Sequence, residues 1–140
     1  MKTLAEVTSA HGFEVLEHLE ADAEIPVNDG LQAQGDLFIV PRPELAGTTR
    51  DGSAGGTIPA AGIAVIEAIG GGHEHRLFAS VPGTAFWTDS GRIGQSIGIL
   101  ECTEPAYVIH PEHGATGIAP GTYELRRQRE QADEERLVAD

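Results

Sequence analysis

The chain has 140 residues, a formal net charge of −13, 18 glycines, 8 prolines and a single cysteine. An apolar share of 40% is enough for one folded core, and the glycine and proline load argues for many short strands and against a helix bundle. The negative charge removes the electrostatic drive for nonspecific nucleic-acid or anionic-membrane binding, and a lone cysteine excludes an intrachain disulfide or a four-thiolate zinc site.

Leu4, Val7, Phe13, Leu16 and Leu19 recur at roughly helical spacing, with Glu14, Glu17 and Glu20 on the other side. Residues 1–30 are therefore expected to form an N-terminal helical arm, weakened at Gly12 and closed by a turn at 28–30 (NDG). The N-terminal residues hold no apolar run of signal-peptide length, and nothing in the chain approaches the ~18 apolar residues of a bilayer span. The expected location is cytoplasmic.

A β domain is expected over 31–128. Residues 37–40 (LFIV), 63–69 (IAVIEAI), 73–78 (HEHRLF), 84–88 (TAFWT), 97–102 and 106–110 read as strands bracketed by turn residues. Residues 123–128 (YELRRQ) alternate like an edge strand. Residues 47–59 (GTTRDGSAGGTIP) read as a flexible loop and 110–114 (HPEHG) as a turn. Residues 129–140 form a charged tail or a short helix. Short strands at this spacing predict a mainly β, single-domain small barrel or sandwich.

The candidate chemistry lies in the histidines. His73 and His75 are two apart, so on a strand both rings leave one face. His110 and His113 flank a Pro-Glu turn that lets their rings approach. Imidazole is the commonest ligand for transition metals, and Glu74 or Glu112 can add an oxygen, so these four histidines are a candidate site for a divalent metal, zinc first. The competing reading is a polar strand and a turn whose rings are simply hydrogen-bonded. Elsewhere, Ser90, Ser96 and Cys102 have no nucleophile elbow around them, and Cys102 sits in an apolar run as a buried thiol. Gly70, Gly71 and Gly72 lack the ending of a phosphate loop. Trp87 beside Phe86 reads as core. Arg126, Arg127 and Arg129 read as a salt-bridge strip.

Two resemblances attach to these motifs. The spacing of His73, His75 and His110 resembles the metal-binding pattern of cupins, which implies a jelly-roll fold and a metal-dependent enzyme acting on a small molecule. The glutamate that cupins place shortly after their His-x-His is absent, Ala79 and Ser80 standing there instead. Gln34-Gly35-Asp36 with the run to Pro41, Gly72-His73-Glu74-His75, His110-Pro111-Glu112-His113-Gly114 and the segment from Pro120 to Glu130 together resemble a group of small uncharacterised phage and bacterial proteins. That resemblance covers 34–140. It implies a phage or bacterial origin and little chemistry; with the missing catalytic signature and a compact β domain, the expected function is a phage-encoded structural or interaction protein without catalysis, a virion or capsid-associated component located in the host cytoplasm or the particle. Its partners are then proteins or further copies of itself, a homo-oligomer or a larger assembly, and neither nucleic acid nor membrane. On this view the histidine cluster is a structural metal site.

Overall fold

A computed structural model describes residues 2–3, 5–7, 24–47, 55–67, 73–90 and 94–128. They carry the strands β1 (Val27–Asn28), β2 (Gln32–Gln34), β3 (Leu37–Pro41), β4 (Gly55–Thr57), β5 (Ile63–Ile66), β6 (His75–Ala79), β7 (Ala85–Asp89), β8 (Ser96–Cys102), β9 (Ala106–His110), β10 (Gly114–Ile118) and β11 (Gly121–Arg127). One sheet has the order β1-β10-β9-β6-β5 and the other β2-β3-β11-β8-β7-β4. All pairings are antiparallel except the short parallel contact of β1 with β10. Of the two expected architectures, the chain forms a two-sheet sandwich; the sheets do not close into a barrel.

The sandwich follows from side-chain alternation. In β11, Tyr123 and Leu125 are buried while Glu124 and Arg126 are only partly covered. The inward set continues through Leu37 and Ile39 of β3 and Leu100 of β8, and meets Val65, Leu77 and Val108 of the opposing sheet in one apolar cluster. Each fully buried Leu or Ile there contributes about 1.5–3 kcal/mol relative to exposure.

β9 breaks the alternation, because all five of its residues are buried. Ala106 and Val108 face the sandwich core, whereas Tyr107 and Ile109 join Phe78, Val7 and Ile25 in a second cluster. The N-terminal residues thus cover the outer face of the five-stranded sheet. Residues 5–7 are helical, and Thr3 bridges Glu24. Of the arm expected over 1–30, residues 24–30 carry the Glu24 bridge and β1 and no helix; residues 8–23, and the tail 129–140, lie outside the described residues.

Two expectations need correction. The segment 47–59 does not consist of loop alone, since Gly55–Thr57 pairs with β7. The strand at 121–127 is central, flanked by β3 and β8, and does not form an edge. Its alternation was real, but alternation reports which faces are covered and not which ladders are filled.

On the outer side of β11, Glu124 is held by Arg42 at 3.3 Å and Arg126 at 3.0 Å. Burial pushes its carboxyl up. Hydrogen bonds from Ser96 and Arg126 and the charges of Arg126 and Arg42 outweigh this, and hold it below the usual glutamate range. Glu124 therefore contributes stability that is present above the ordinary glutamate pKa of about 4.3 and is lost as pH falls through its lower folded value. Replacing it as Glu124→Gln is expected to flatten the acid limb of a stability–pH profile measured by urea unfolding. An acid limb identical to that of the parent would refute this.

Candidate functional site

The site is assembled by hairpins at one end of the sandwich. His75 opens β6 and His110 closes β9, and alternation with Leu77 and Val108 points both rings inward. The register that pairs Arg76 with Ile109 sets these two histidines side by side. Both are fully buried, with ring centroids 4.5 Å apart. His113 follows in the β9–β10 connection, which Gly114 closes at φ 84, a left-handed conformation suited to glycine. His73 precedes β6 in the non-strand stretch, so the expected strand begins only at His75.

All four histidines meet. The ring of His113 lies 4.5 Å from that of His110 and 6.2 Å from that of His75, and the ring of His73 lies 5.9 Å from that of His110. His73 and Glu112 form a partly exposed rim, with Nε2 and Oε1 3.4 Å apart. Among the described residues, no group of three or more His, Cys, Asp or Glu side chains already stands around one point as metal ligands.

The opposite sheet supplies three polar residues that sequence reasoning did not assign to the site. The β2–β3 hairpin turns tightly at Gly35 (φ 60) and Asp36, which carries Gln34 and Asp36 under the histidines. The Gln34 amide nitrogen donates to the carbonyls of Val108 and Gly114 and to the Thr116 hydroxyl. That fixes the amide orientation, so its Oε1 accepts from Nδ1–H of His75 at 2.9 Å. On the other nitrogen, Nε2 of His75 lies 3.4 Å from Oδ1 of Asp36. Oδ2 of Asp36 accepts from Nε of Arg127 at 2.6 Å, and the Asp36 carbonyl accepts from the Gln128 amide at 2.8 Å. Gln34 thus ties the two sheets through His75, Val108 and Gly114, while Asp36 and Arg127 pair beside them within the six-stranded sheet.

His110 has the opposite tautomer. Its Nδ1 accepts from the backbone N–H groups of Glu112 at 3.0 Å and His113 at 3.2 Å, so in the neutral ring the proton sits on Nε2. This imidazole caps the 110–113 turn.

Cys102 contributes nothing to the cluster. Its thiol is buried and directed at the Ala119 carbonyl, and burial pushes its pKa up to about 11 despite the Gly121 backbone hydrogen bond, with Glu101 adding to the rise. It is expected to resist alkylation by iodoacetamide at pH 8 in the folded protein and to react within minutes once unfolded in urea. Rapid labelling of the native chain would contradict that assignment. Tyr123, also buried, donates its hydroxyl to the Ala119 carbonyl and is pushed up to about 12 by burial, with smaller contributions from Cys102 and Asp29.

Fold and site together define a small, mainly antiparallel β-sandwich with a histidine-rich polar cluster at one end. The profile of the domain of unknown function DUF8820 matches residues 33–128, about two thirds of the chain, and the chain belongs to that family. The match includes Gln34, Asp36, all four clustered histidines and Arg127. No curated protein and no solved structure matches the chain. No helix among the described residues is long and apolar enough to cross a membrane.

Proposed function

We propose that this chain is a non-catalytic structural or interaction domain, phage-encoded and built into a virion or capsid-associated assembly. The supporting observation is how the buried histidines are used. His75 donates to Gln34 across the two sheets, and His110 caps the turn beside it. Side chains committed in this way hold a fold together, whereas a general base needs a nitrogen directed at a substrate proton. Val7 and Ile25, packed on the outer face of the five-stranded sheet, add to the same picture, as does an acidic chain that repels nucleic acid and, when displayed, keeps particles apart. A cupin-like metalloenzyme gains less support, because the proton on Nε2 of His110 blocks one of its three ligand positions and Ala79 and Ser80 stand where its glutamate belongs.

The test is mass spectrometry of density-purified particles from a producing host. Peptides from 33–128 are expected at a constant ratio to the major coat protein. Their absence from the particles would remove the virion reading. A monodisperse monomer at high concentration, by light scattering, would further remove self-assembly.

A further inference from the structure

The four imidazoles divide into a fixed pair and a rim. His75 is fully buried and locked by Gln34, whereas His73 is half-buried and His113 exposed. We propose that His75 and Asp36 form the fixed half of a binding site for one divalent transition-metal ion, that His73 and His113 close it from the rim, and that His110 supplies no ligand. The proposal is independent of any virion role.

His75 has the support that metal-binding imidazoles use. Its Nδ1–H is spent on a carbonyl oxygen, which fixes ring and tautomer and leaves the lone pair of the neutral ring on Nε2. The 3.4 Å between that nitrogen and Oδ1 of Asp36 is longer than the ~2.9–3.0 Å preferred by an N–H···O bond. It is close to the ligand-to-ligand edge, about 3.4 Å, of a tetrahedron with metal bonds of ~2.0–2.1 Å. Arg127 grips the second oxygen of Asp36, which leaves a carboxylate of fixed orientation whose charge the guanidinium offsets.

The rim is within reach. Two imidazoles on one tetrahedral ion have centroids about 5–6 Å apart, and His113 lies 6.2 Å from His75. Because three ligands do not yet surround one point, closure needs rotamer changes, and the exposure of His73 and His113 permits these without moving the sandwich. Glu112, 3.4 Å from His73, is the competing rim partner that the ion would displace. His110 is excluded by its bonds, since both backbone donors occupy the Nδ1 lone pair and the proton holds Nε2. A set of imidazoles with one carboxylate selects zinc, cobalt, nickel or copper over calcium or magnesium.

The experiment titrates tag-free full-length protein with Co2+ alone and then Zn2+ alone, followed by calorimetry and by the visible spectrum of the cobalt form. One ion per chain, intense tetrahedral cobalt bands and a raised melting temperature with zinc are expected. His73→Ala and His113→Ala are each expected to weaken binding by about tenfold or more while leaving the metal-free melting temperature unchanged. His110→Asn, which keeps an acceptor for the turn amides, is expected to bind as the parent does, and so is the combined His11→Ala, His18→Ala variant. Absence of binding overturns the site. So do loss of binding in the His11, His18 variant, retention in His113→Ala, or loss in His110→Asn with a normal melting temperature.

Discussion

Replacing Arg127 by methionine is expected to cost about 3–5 kcal/mol of unfolding free energy, the largest single loss in this molecule. Arg127 and Asp36 are both buried, and their 2.6 Å contact joins β11 to the β2–β3 turn within the six-stranded sheet. Methionine fills similar space but removes the guanidinium from a buried Asp36 carboxylate, whose other oxygen lies 3.4 Å from the ring of His75. The cost arises from the orphaned charge and not from the pair as such, because bringing two ions together out of water returns little net energy. The combination Arg127→Met with Asp36→Asn removes both charges and is therefore expected to recover most of the loss. Urea unfolding followed by the fluorescence of Trp87, the only tryptophan, measures both variants. A single-variant loss below about 1 kcal/mol, or a double variant no better than the single, would show that the orphaned carboxylate does not carry the cost.

The elements that could be read from the sequence are those whose own residues demand burial. The runs at 37–40, 63–69 and 97–102 are largely apolar, end in turn residues and carry strands, the second of them over Ile63–Ile66. The strands that went unread have no such demand. β2 (Gln-Ala-Gln), β4 (Gly-Gly-Thr) and β10 (Gly-Ala-Thr-Gly-Ile) are polar or glycine-rich, and they are strands because a neighbouring ladder completes them. β10 also depends on what its glycine lacks: a Cβ at Gly117 would stand 2.5 Å from the Pro26 carbonyl, so only glycine admits the parallel β1 beside it. The central position of β11 was hidden for a related reason, since one of its ladders comes from β8, beyond two intervening strands, and the other from β3, across the whole domain.

For the site, spacing identified the two histidine pairs, and their meeting follows from β6 and β9 being sheet neighbours. What spacing does not carry is the opposite sheet. Gln34 and Asp36 read as ordinary turn residues before an apolar run, and Arg127 as one of a basic strip. Only the packing of two sheets turns them into the buried partners of His75. The opposite tautomers of His75 and His110 depend on individual donors and acceptors, Gln34 Oε1 and two turn amides, which no residue pattern encodes.

At Gly98 a single added methyl is expected to cost both stability and the placement of Trp87. In β8 it faces Trp87 of the neighbouring β7, and a Cβ there would stand 2.2 Å from Cζ2 and 2.6 Å from Cη2 of the indole. Rotating the ring does not free the position, because the Thr88 carbonyl, a backbone atom, lies 2.7 Å away. Both the indole and the β7–β8 ladder must therefore shift, and Gly98→Ala is expected to cost about 3 kcal/mol, the upper end of overpacking by one carbon. In a chain of this size that is a fall of about 10 °C in melting temperature. Trp87 packs half-buried against the core, so its displacement is expected to red-shift the emission as well. Gly56, on the edge strand β4, has nothing within 4 Å of the equivalent position, and Gly56→Ala is expected to stay within about 0.5 kcal/mol of the parent. If Gly98→Ala left both melting temperature and emission unchanged, the indole would not rest on the glycine. Partial recovery by adding Trp87→Phe would assign the loss to that contact, with the residual deficit marking the part due to the Thr88 carbonyl.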